Sequence, residues 1–228
     1  MINFKEYRYK DIERIMSERG LLRPLDLLVV GATGSGKSSS VNILLGGKKA
    51  EVGYGVDPKT MDINYFELND WFRLWDTPGV GDGVEKDVEH SKKIIKKLTE
   101  NVENFPDNGF IDMVLVVTEA GVRDIGSVMY LLDNCIIPNI EHNRIVVGIN
   151  QADFAMKGKN FDYNNNRPNE ELYRFLEEKK DSIKRRVREN HKVDVEVVYY
   201  SAETGYNVDK LIDKVVEALP KNRRVIYS

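Results

Sequence analysis

The sequence predicts an α/β domain in three layers, with a mostly parallel sheet carrying one antiparallel strand between two layers of helices. Three observations predict it. Strand-length runs of nearly uninterrupted apolar residues (25–30, 113–117 and 145–149) alternate with longer stretches of helical periodicity. A strand without a polar face must be covered on both sides, which is the setting of a parallel sheet. Between the first run and the helix after it lies a glycine-rich turn, the place where such sheets bind phosphate.

Taken in order, residues 1–22 read as a helical extension with Phe4, Tyr7, Ile12, Ile15 and Met16 as packing residues. Residues 23–220 form the main domain and 221–228 a short tail. Strand 25–30 leads through the glycine turn into a helix over 38–45. Residues 62–68 alternate apolar and polar, Asn69-Asp70 is a turn, and 71–75 returns; this hairpin supplies the antiparallel strand. Val88, Ile94, Ile95 and Leu98 give helical periodicity over 85–102. Strand 113–117, a short helix 127–134 and strand 145–149 follow, and the asparagine-rich 160–169 reads as a polar surface loop. A long charged helix over 170–189 has a narrow apolar face of Leu172, Phe175, Leu176, Ile183 and Val187. A β-branched and aromatic strand, 193–200, and a helix, 208–219, close the chain before Pro220.

With 228 residues, 41% apolar and 31% charged, the composition is that of a soluble globular protein. The 34 Lys and Arg against 37 Asp and Glu leave a formal charge of -3, so nothing global points to nucleic acid. The basic helix faces at Lys92-Lys93, Lys96-Lys97 and Lys184-Arg185-Arg186 are interleaved with acids and read as solvated surface. A ribosome or membrane surface as partner therefore has no support from global charge. Cys135 is the only cysteine, which excludes an intrachain disulfide and suits a reducing compartment. The first residues lack the apolar core of a secretory signal, and no apolar run is long enough to span a bilayer, so a cytoplasmic setting is expected. His90, His142 and His191 are dispersed, away from metal-ligand spacing, and no G-x-S-x-G hydrolase signature occurs.

Chemistry is carried by short motifs at the ends of predicted strands. Gly31-Ala32-Thr33-Gly34-Ser35-Gly36-Lys37-Ser38 fits G-x-x-x-x-G-K-[ST], with a strand before it and a helix after it. In this loop backbone N–H groups turn toward phosphate oxygens, Lys37 reaches the β- and γ-phosphates, and the Ser38 hydroxyl ligates Mg2+. Ser39 follows in the first helical turn. Asp76-Thr77-Pro78-Gly79 closes the next strand. A carboxylate there holds Mg2+, usually through water, while Gly79 lets its N–H approach a γ-phosphate. Thr60, the only threonine between Ser38 and Asp76, is the candidate second Mg2+ ligand on a mobile loop. Asn150-Gln151-Ala152-Asp153 follows strand 145–149, and a carboxylate at Asp153 can accept from guanine N1–H and its exocyclic amine together, a donor pair adenine lacks. Ser201-Ala202, after Tyr200, can offer a backbone N–H to the guanine carbonyl.

From about residue 23 to 219 the chain resembles the translation-factor-related GTPases, particularly the Era-like branch, and among them the bacterial YfjP-like GTPases. The stretch from Thr33 to Ser39 is also similar to the immunity-related GTPases. The resemblance implies a small-GTPase G-domain, a P-loop NTPase fold that hydrolyses GTP to GDP with Mg2+ and acts as a nucleotide-dependent switch. It implies catalytic roles for Lys37, Thr60 and Gly79, and Mg2+ ligation by Ser38, Thr60 and Asp76. Nucleotide contacts are implied for Gly31, Thr33 to Ser39, Asp76, Gly79, Asn150, Gln151, Asp153, Ser201 and Ala202.

Three residues depart from the family pattern. Gln151 stands where a lysine packs along the base and braces the phosphate loop, which predicts weaker affinity. Val80 stands where Ras-like enzymes place a water-orienting glutamine, so turnover without a protein partner or a second copy is expected to be slow. Gly34 replaces the asparagine of potassium-activated relatives. Arg123 could act as a charge-stabilising finger, although an arginine paired with a nearby acid is the commoner arrangement. Two alternatives remain at this point: a guanine-nucleotide-binding scaffold with negligible hydrolysis, and a P-loop ATPase.

Overall fold

The structure, a computed structural model, describes residues 2–4, 7–47, 52–53, 64–79, 84–121 and 125–226. Thr60, Val80 and Arg123 lie outside the described residues. The elements are α1 (Tyr9–Arg19), β1 (Leu25–Gly31), α2 (Lys37–Leu44), β2 (Val52–Gly53), β3 (Asn64–Asn69), β4 (Phe72–Asp76), α3 (Val84–Leu98), β5 (Asn101–Val102), β6 (Phe105–Gly109) and β7 (Met113–Glu119). They continue with α4 (Gly126–Leu131), β8 (Ile145–Asn150), β9 (Phe161–Asp162), β10 (Arg167–Pro168), α5 (Glu170–His191), β11 (Glu196–Tyr199) and α6 (Val208–Glu217).

The central sheet has the order β11-β8-β7-β1-β4-β3-β2. From β11 to β4 every neighbouring pair is parallel, and β3 runs antiparallel to both β4 and β2. The period-2 alternation of a strand divides its side chains between the two faces. Leu28, Val30, Val114, Val116, Ile145, Val147 and Ile149 pack with residues of α3, α4 and α5. Leu25, Leu27, Val29, Met113, Leu115, Val117 and Val146 pack with α1, α2 and α6 on the other side. Two cores on one sheet are the expected three layers, a doubly covered, mostly parallel sheet.

The N-terminal residues join the second of these cores. Phe4 is buried against Phe72, with ring centroids 4.9 Å apart, and Ile12 and Met16 lie beside it. Tyr7 and Arg8 bind Asp213 on α6.

The chain departs from the expected elements at several places: β2 is not among them, the strand expected over 193–200 spans only Glu196–Tyr199, and three further differences have local causes. The helix expected over 85–102 ends at Leu98, and residues 101–102 instead pair with β6. Thr99 turns its hydroxyl back onto the Ile95 and Lys96 carbonyls, so Val102 extended the apolar period without extending the helix. The helix expected over 127–134 starts at Gly126 and passes after Leu131 into a π-type turn, Leu132–Ile136. Residues 160–169 are not an open loop. They contain the β9–β10 hairpin, where Asp162 accepts from the N–H groups of Asn164 and Asn165 and Asn166 takes a left-handed conformation (φ 48°). The asparagines are turn residues of a hairpin anchored by the buried Phe161.

The amino ends of the strands are tied by buried charge. Asp26 on β1 accepts from Arg73 Nε (2.7 Å) and Nη2 (2.8 Å) on β4 and from Trp75 Nε1 (2.7 Å), and its own N–H donates to Asp112 (2.9 Å). Arg144 donates to the Asn222 carbonyl (3.0 Å) and Arg224 to the Ile111 carbonyl (3.0 Å), which pins residues 222–226 beside β6. Burial pushes the Asp112 carboxyl up to about 7.

Candidate nucleotide site

The four loops that carry the sequence motifs leave the carboxyl ends of β1, β4, β8 and β11, the edge where open α/β sheets bind ligands. β1 ends at Gly31, whose position suits only glycine because a Cβ there would lie 2.2 Å from the Val117 carbonyl oxygen. The loop turns through left-handed Gly34 (φ 80°) and Gly36 (φ 83°), and α2 starts at Lys37 without a side-chain cap. An uncapped helix start leaves its first N–H groups free for an anion. Lys37 is buried, and its Nζ donates to the Ala32 carbonyl (3.1 Å), folding the ammonium group over the loop. Thr33, Gly34, Ser38 and Ser39 are exposed.

Ser38 Oγ donates to Asp76 Oδ2 at 2.9 Å, so the hydroxyl and the carboxylate read as Mg2+ ligands sit side by side. Burial raises the Asp76 carboxyl above its ordinary range, against the lowering effects of the Ser38 bond and the Lys37 charge. Gly79 lies close against the loop: a Cβ there would meet Thr33 Oγ1 at 2.6 Å and Lys37 Nζ at 2.8 Å. The Gly79 carbonyl also faces His90 Nδ1 of α3 at 2.5 Å. A carbonyl only accepts, so Nδ1 carries the proton in this contact.

The loops after β8 and β11 are braced onto the glycine-rich loop. Asn150 Nδ2 donates to the Ser35 carbonyl (3.1 Å), and Asn150 Oδ1 accepts from Ala202 N–H (3.0 Å). One side chain thus joins three of the motifs. Gly36 makes room for it, since a Cβ at that position would fall 2.2 Å from Asn150 Nδ2. Gln151, in a left-handed conformation (φ 61°), donates to the Gly34 carbonyl at 2.9 Å. The bracing bond expected of the missing lysine is therefore made by the glutamine amide. Ser201 is fully buried, and its Oγ accepts from Thr204 N–H (3.0 Å) to shape the last loop.

Sequence reasoning missed a further tie. Ser40 bonds the fully buried Tyr200 hydroxyl at 2.5 Å and donates to the Gly36 carbonyl at 2.7 Å, so the helix after the phosphate loop is fixed to the residue before Ser201. It missed Lys179 too, a buried α5 lysine that donates to the Glu119 and Ala120 carbonyls at the end of β7. Burial lowers that amine to about 8. Neither residue belongs to a motif, and both contacts span more than fifty residues of sequence.

Among the described residues five buried side-chain polar atoms have no hydrogen-bond partner: Ser35 Oγ, Asp76 Oδ1 and Asp153 Oδ1 in these loops, and, away from them, Ser91 Oγ and Arg8 Nε, the last beside the Asp11 carboxylate. Leaving a buried acceptor unpaired costs about 1–3 kcal/mol, so three of them at one sheet edge point to a ligand there. Among the described residues no group of three or more His, Cys, Asp or Glu is arranged to hold a metal. A hydroxyl beside one carboxylate instead suits Mg2+, which takes few protein ligands and relies on water and phosphate oxygens. No helix among the described residues is long and apolar enough to cross a membrane.

Comparisons with known proteins give the family and the fold. A model described as 50S ribosome-binding GTPase matches residues 26–151, just over half of the chain, and the chain belongs to that family of GTP-binding P-loop GTPases. The probable GTP-binding protein EngB of Streptococcus uberis is 32% identical over 81 residues, which are 35% of this chain and 41% of that protein. The chain thus matches under half the length of that relative. Toc33 from Arabidopsis thaliana, solved with GDP and Mg2+, superimposes over 97% of this chain and 94% of its own at 16% identity, with a TM-score of 0.64. An Era variant from Aquifex aeolicus, bound to GDP and AlF4-, covers 90% of this chain and 60% of its own at 18% identity, with a TM-score of 0.53. Both show the fold, a small-GTPase G-domain.

Proposed function

We propose that this protein binds GTP at the carboxyl edge of its sheet, hydrolyses it with Mg2+, and uses the loss of the γ-phosphate to release Gly79 and the loop bearing Thr60. The observation that carries this reading is the set of unpartnered buried atoms Ser35 Oγ, Asp76 Oδ1 and Asp153 Oδ1: the loops of Ser35 and Asp153 are tied through Asn150, and Asp76 is tied to the glycine-rich loop through Ser38. In this reading Asp153 accepts from guanine N1–H and its amine; the N–H groups of Ser201 and Ala202, expected to meet the base carbonyl, instead donate to the Tyr206 carbonyl (2.9 Å) and to Asn150 Oδ1 (3.0 Å). Lys37, the N–H groups at the start of α2 and the Gly79 N–H neutralise charge developing on the transferred phosphoryl group. Mg2+, which Ser38, Thr60 and Asp76 would hold, would supply charge neutralisation to the phosphates. Residues 23–220 would be the GTPase domain, with 1–22 an extension and 221–228 a tail, in a cytoplasmic protein of the YfjP-like subtype.

Turnover should be slow for the chain alone, because Val80 offers no hydrogen bond to orient water. A second copy is the favoured activator: in the chloroplast translocon components atToc33 and psToc159, which share this fold, dimerization is important for the GTPase activity. The test is phosphate release from GTP and ATP with Mg2+ by the wild type and Lys37→Ala. Removing one charge-stabilising group should lower turnover at least about 100-fold. Tight GTP binding without Lys37-dependent release would instead make the protein a nucleotide-controlled scaffold, and equal use of ATP would contradict the guanine site.

A further inference from the structure

We propose that the segment 154–169, with its β9–β10 hairpin, is a brace that fixes the guanine-reading carboxylate, and that Phe161, Tyr163 and Asn166 are positioning residues for base specificity. The inference rests on the guanine site proposed above. After Asp153 the chain makes a tight turn, with Phe154 and Ala155 N–H groups both donating to the Gln151 carbonyl. It then passes through three successive left-handed residues, Met156 (φ 54°), Lys157 (φ 64°) and Gly158 (φ 71°). Two of these are not glycine, a conformation that persists only where surrounding contacts impose it.

Those contacts come from the hairpin and reach both base-side loops. Phe161 is buried between Tyr163 and Tyr206, with ring centroids 5.1 and 5.6 Å away. The Tyr206 carbonyl accepts from Ser201 N–H (2.9 Å), so the ring rests on the residue that closes the 201–206 turn. Asn166 Nδ2 donates to the Thr204 carbonyl (3.2 Å), and the Tyr163 hydroxyl lies 3.4 Å from the Asp153 carbonyl it points to. The same two loops are joined nearer the strands by Asn150 to Ala202 and by Ala152 to the Tyr200 carbonyl. The hairpin supplies the join further out along each loop, on the Asp153 and Thr204 side.

Guanine differs from hypoxanthine by its amine alone, and a carboxylate reads that amine only if it is held in place to within a few tenths of an ångström. Loosening the outer join should therefore erode the distinction between GDP and IDP more than it erodes phosphate binding, because the phosphate loop is braced separately by Asn150 and Gln151. A hairpin with only a packing role would weaken both nucleotides alike.

The experiment measures release of fluorescently labelled GDP and IDP in the presence of Mg2+, for the wild type, Tyr163→Phe, Asn166→Gly and Phe161→Leu. Glycine is used at 166 because it keeps the left-handed backbone while removing the amide. Loss of one or two hydrogen bonds should speed GDP release about three- to tenfold and IDP release less than about twofold, so that the factor by which IDP leaves faster than GDP falls. An unchanged ratio in the two polar variants would overturn the brace, and these remain informative if Phe161→Leu does not fold. Asp153→Asn is measured alongside. If it leaves the preference for guanine over xanthine nucleotides intact, the base-site reading itself is wrong; if it shifts that preference while the hairpin variants keep the wild-type ratio, only the brace fails.

Discussion

At the amino ends of β1 and β4, Asp26 is buried yet accepts three hydrogen bonds, two from Arg73 and one from Trp75. At the carboxyl ends of the same two strands, Ser35 Oγ and Asp76 Oδ1 are buried with no partner among the described residues. One sheet thus holds polar groups in two opposite states. Where a charge serves the fold, the fold supplies the whole partner set, since a buried ion is tolerated only when paired and hydrogen-bonded. Where partners are withheld, the backbone is nonetheless held firmly, through Asn150, Gln151 and Ser40. A rigid frame around unsatisfied atoms is what a preorganised binding site requires.

The comparison breaks most visibly at the amino end. Asp26→Ala leaves the Arg73 guanidinium without its buried partner and should cost about 3–5 kcal/mol of folding stability in a denaturant titration. GDP affinity of the folded fraction should stay at the wild-type value, because the lost contacts lie at the opposite end of β1 from Gly31. A parallel loss of affinity would show that the two ends are not independent.

Asp112 sharpens the same contrast through pH. Its carboxyl is held at about 7, above the ordinary value of 3.8, so the folded protein keeps a proton that the unfolded chain has lost. The stabilisation is complete below the unfolded value and is lost as pH rises through about 7. Wild-type stability should fall across that window by on the order of 4 kcal/mol, and Asp112→Asn should flatten the slope in thermal melts taken from acid to neutral pH.

The smallest effect belongs to Gln151. Its amide makes one partly exposed bond to the Gly34 carbonyl, so Gln151→Ala should weaken GDP binding by about 0.5–1 kcal/mol, or two- to fivefold, in a calorimetric titration. Folding stability should hardly change. Gln151→Lys should bind more tightly than the alanine variant, because a lysine stem adds apolar contact along the base.

Much of the carboxyl end was legible in the sequence because its groups are local. A strand, a glycine turn and a lysine at fixed spacing specify the phosphate loop from neighbours alone, and β1, β7 and β8 are nearly uninterrupted apolar runs, broken in β1 by Asp26, that fit a doubly covered sheet. The amino end was not legible. Asp26 and Asp112 are 86 residues apart and Arg144 meets Asn222 across 78, so no periodicity links them. The β9–β10 hairpin was hidden for another reason: its asparagines signal a turn, and the single buried anchor, Phe161, gives no alternation to mark the strands. Gln151 shows the limit within a motif, since its residue type suggested a lost brace and its side chain makes one.

Asp153 tests the central claim most directly, because its Oδ1 is buried and unpartnered at the position proposed to read the base. The measurement is the rise in melting temperature produced by GDP, XDP and ADP, each with Mg2+, in the wild type and in Asp153→Asn. GDP alone should stabilise the wild type, and the variant, whose amide can donate to the added carbonyl of xanthine, should exchange that response for one to XDP. Equal stabilisation of the wild type by GDP and ADP, or a variant that still prefers GDP, would contradict a guanine site at this edge of the sheet.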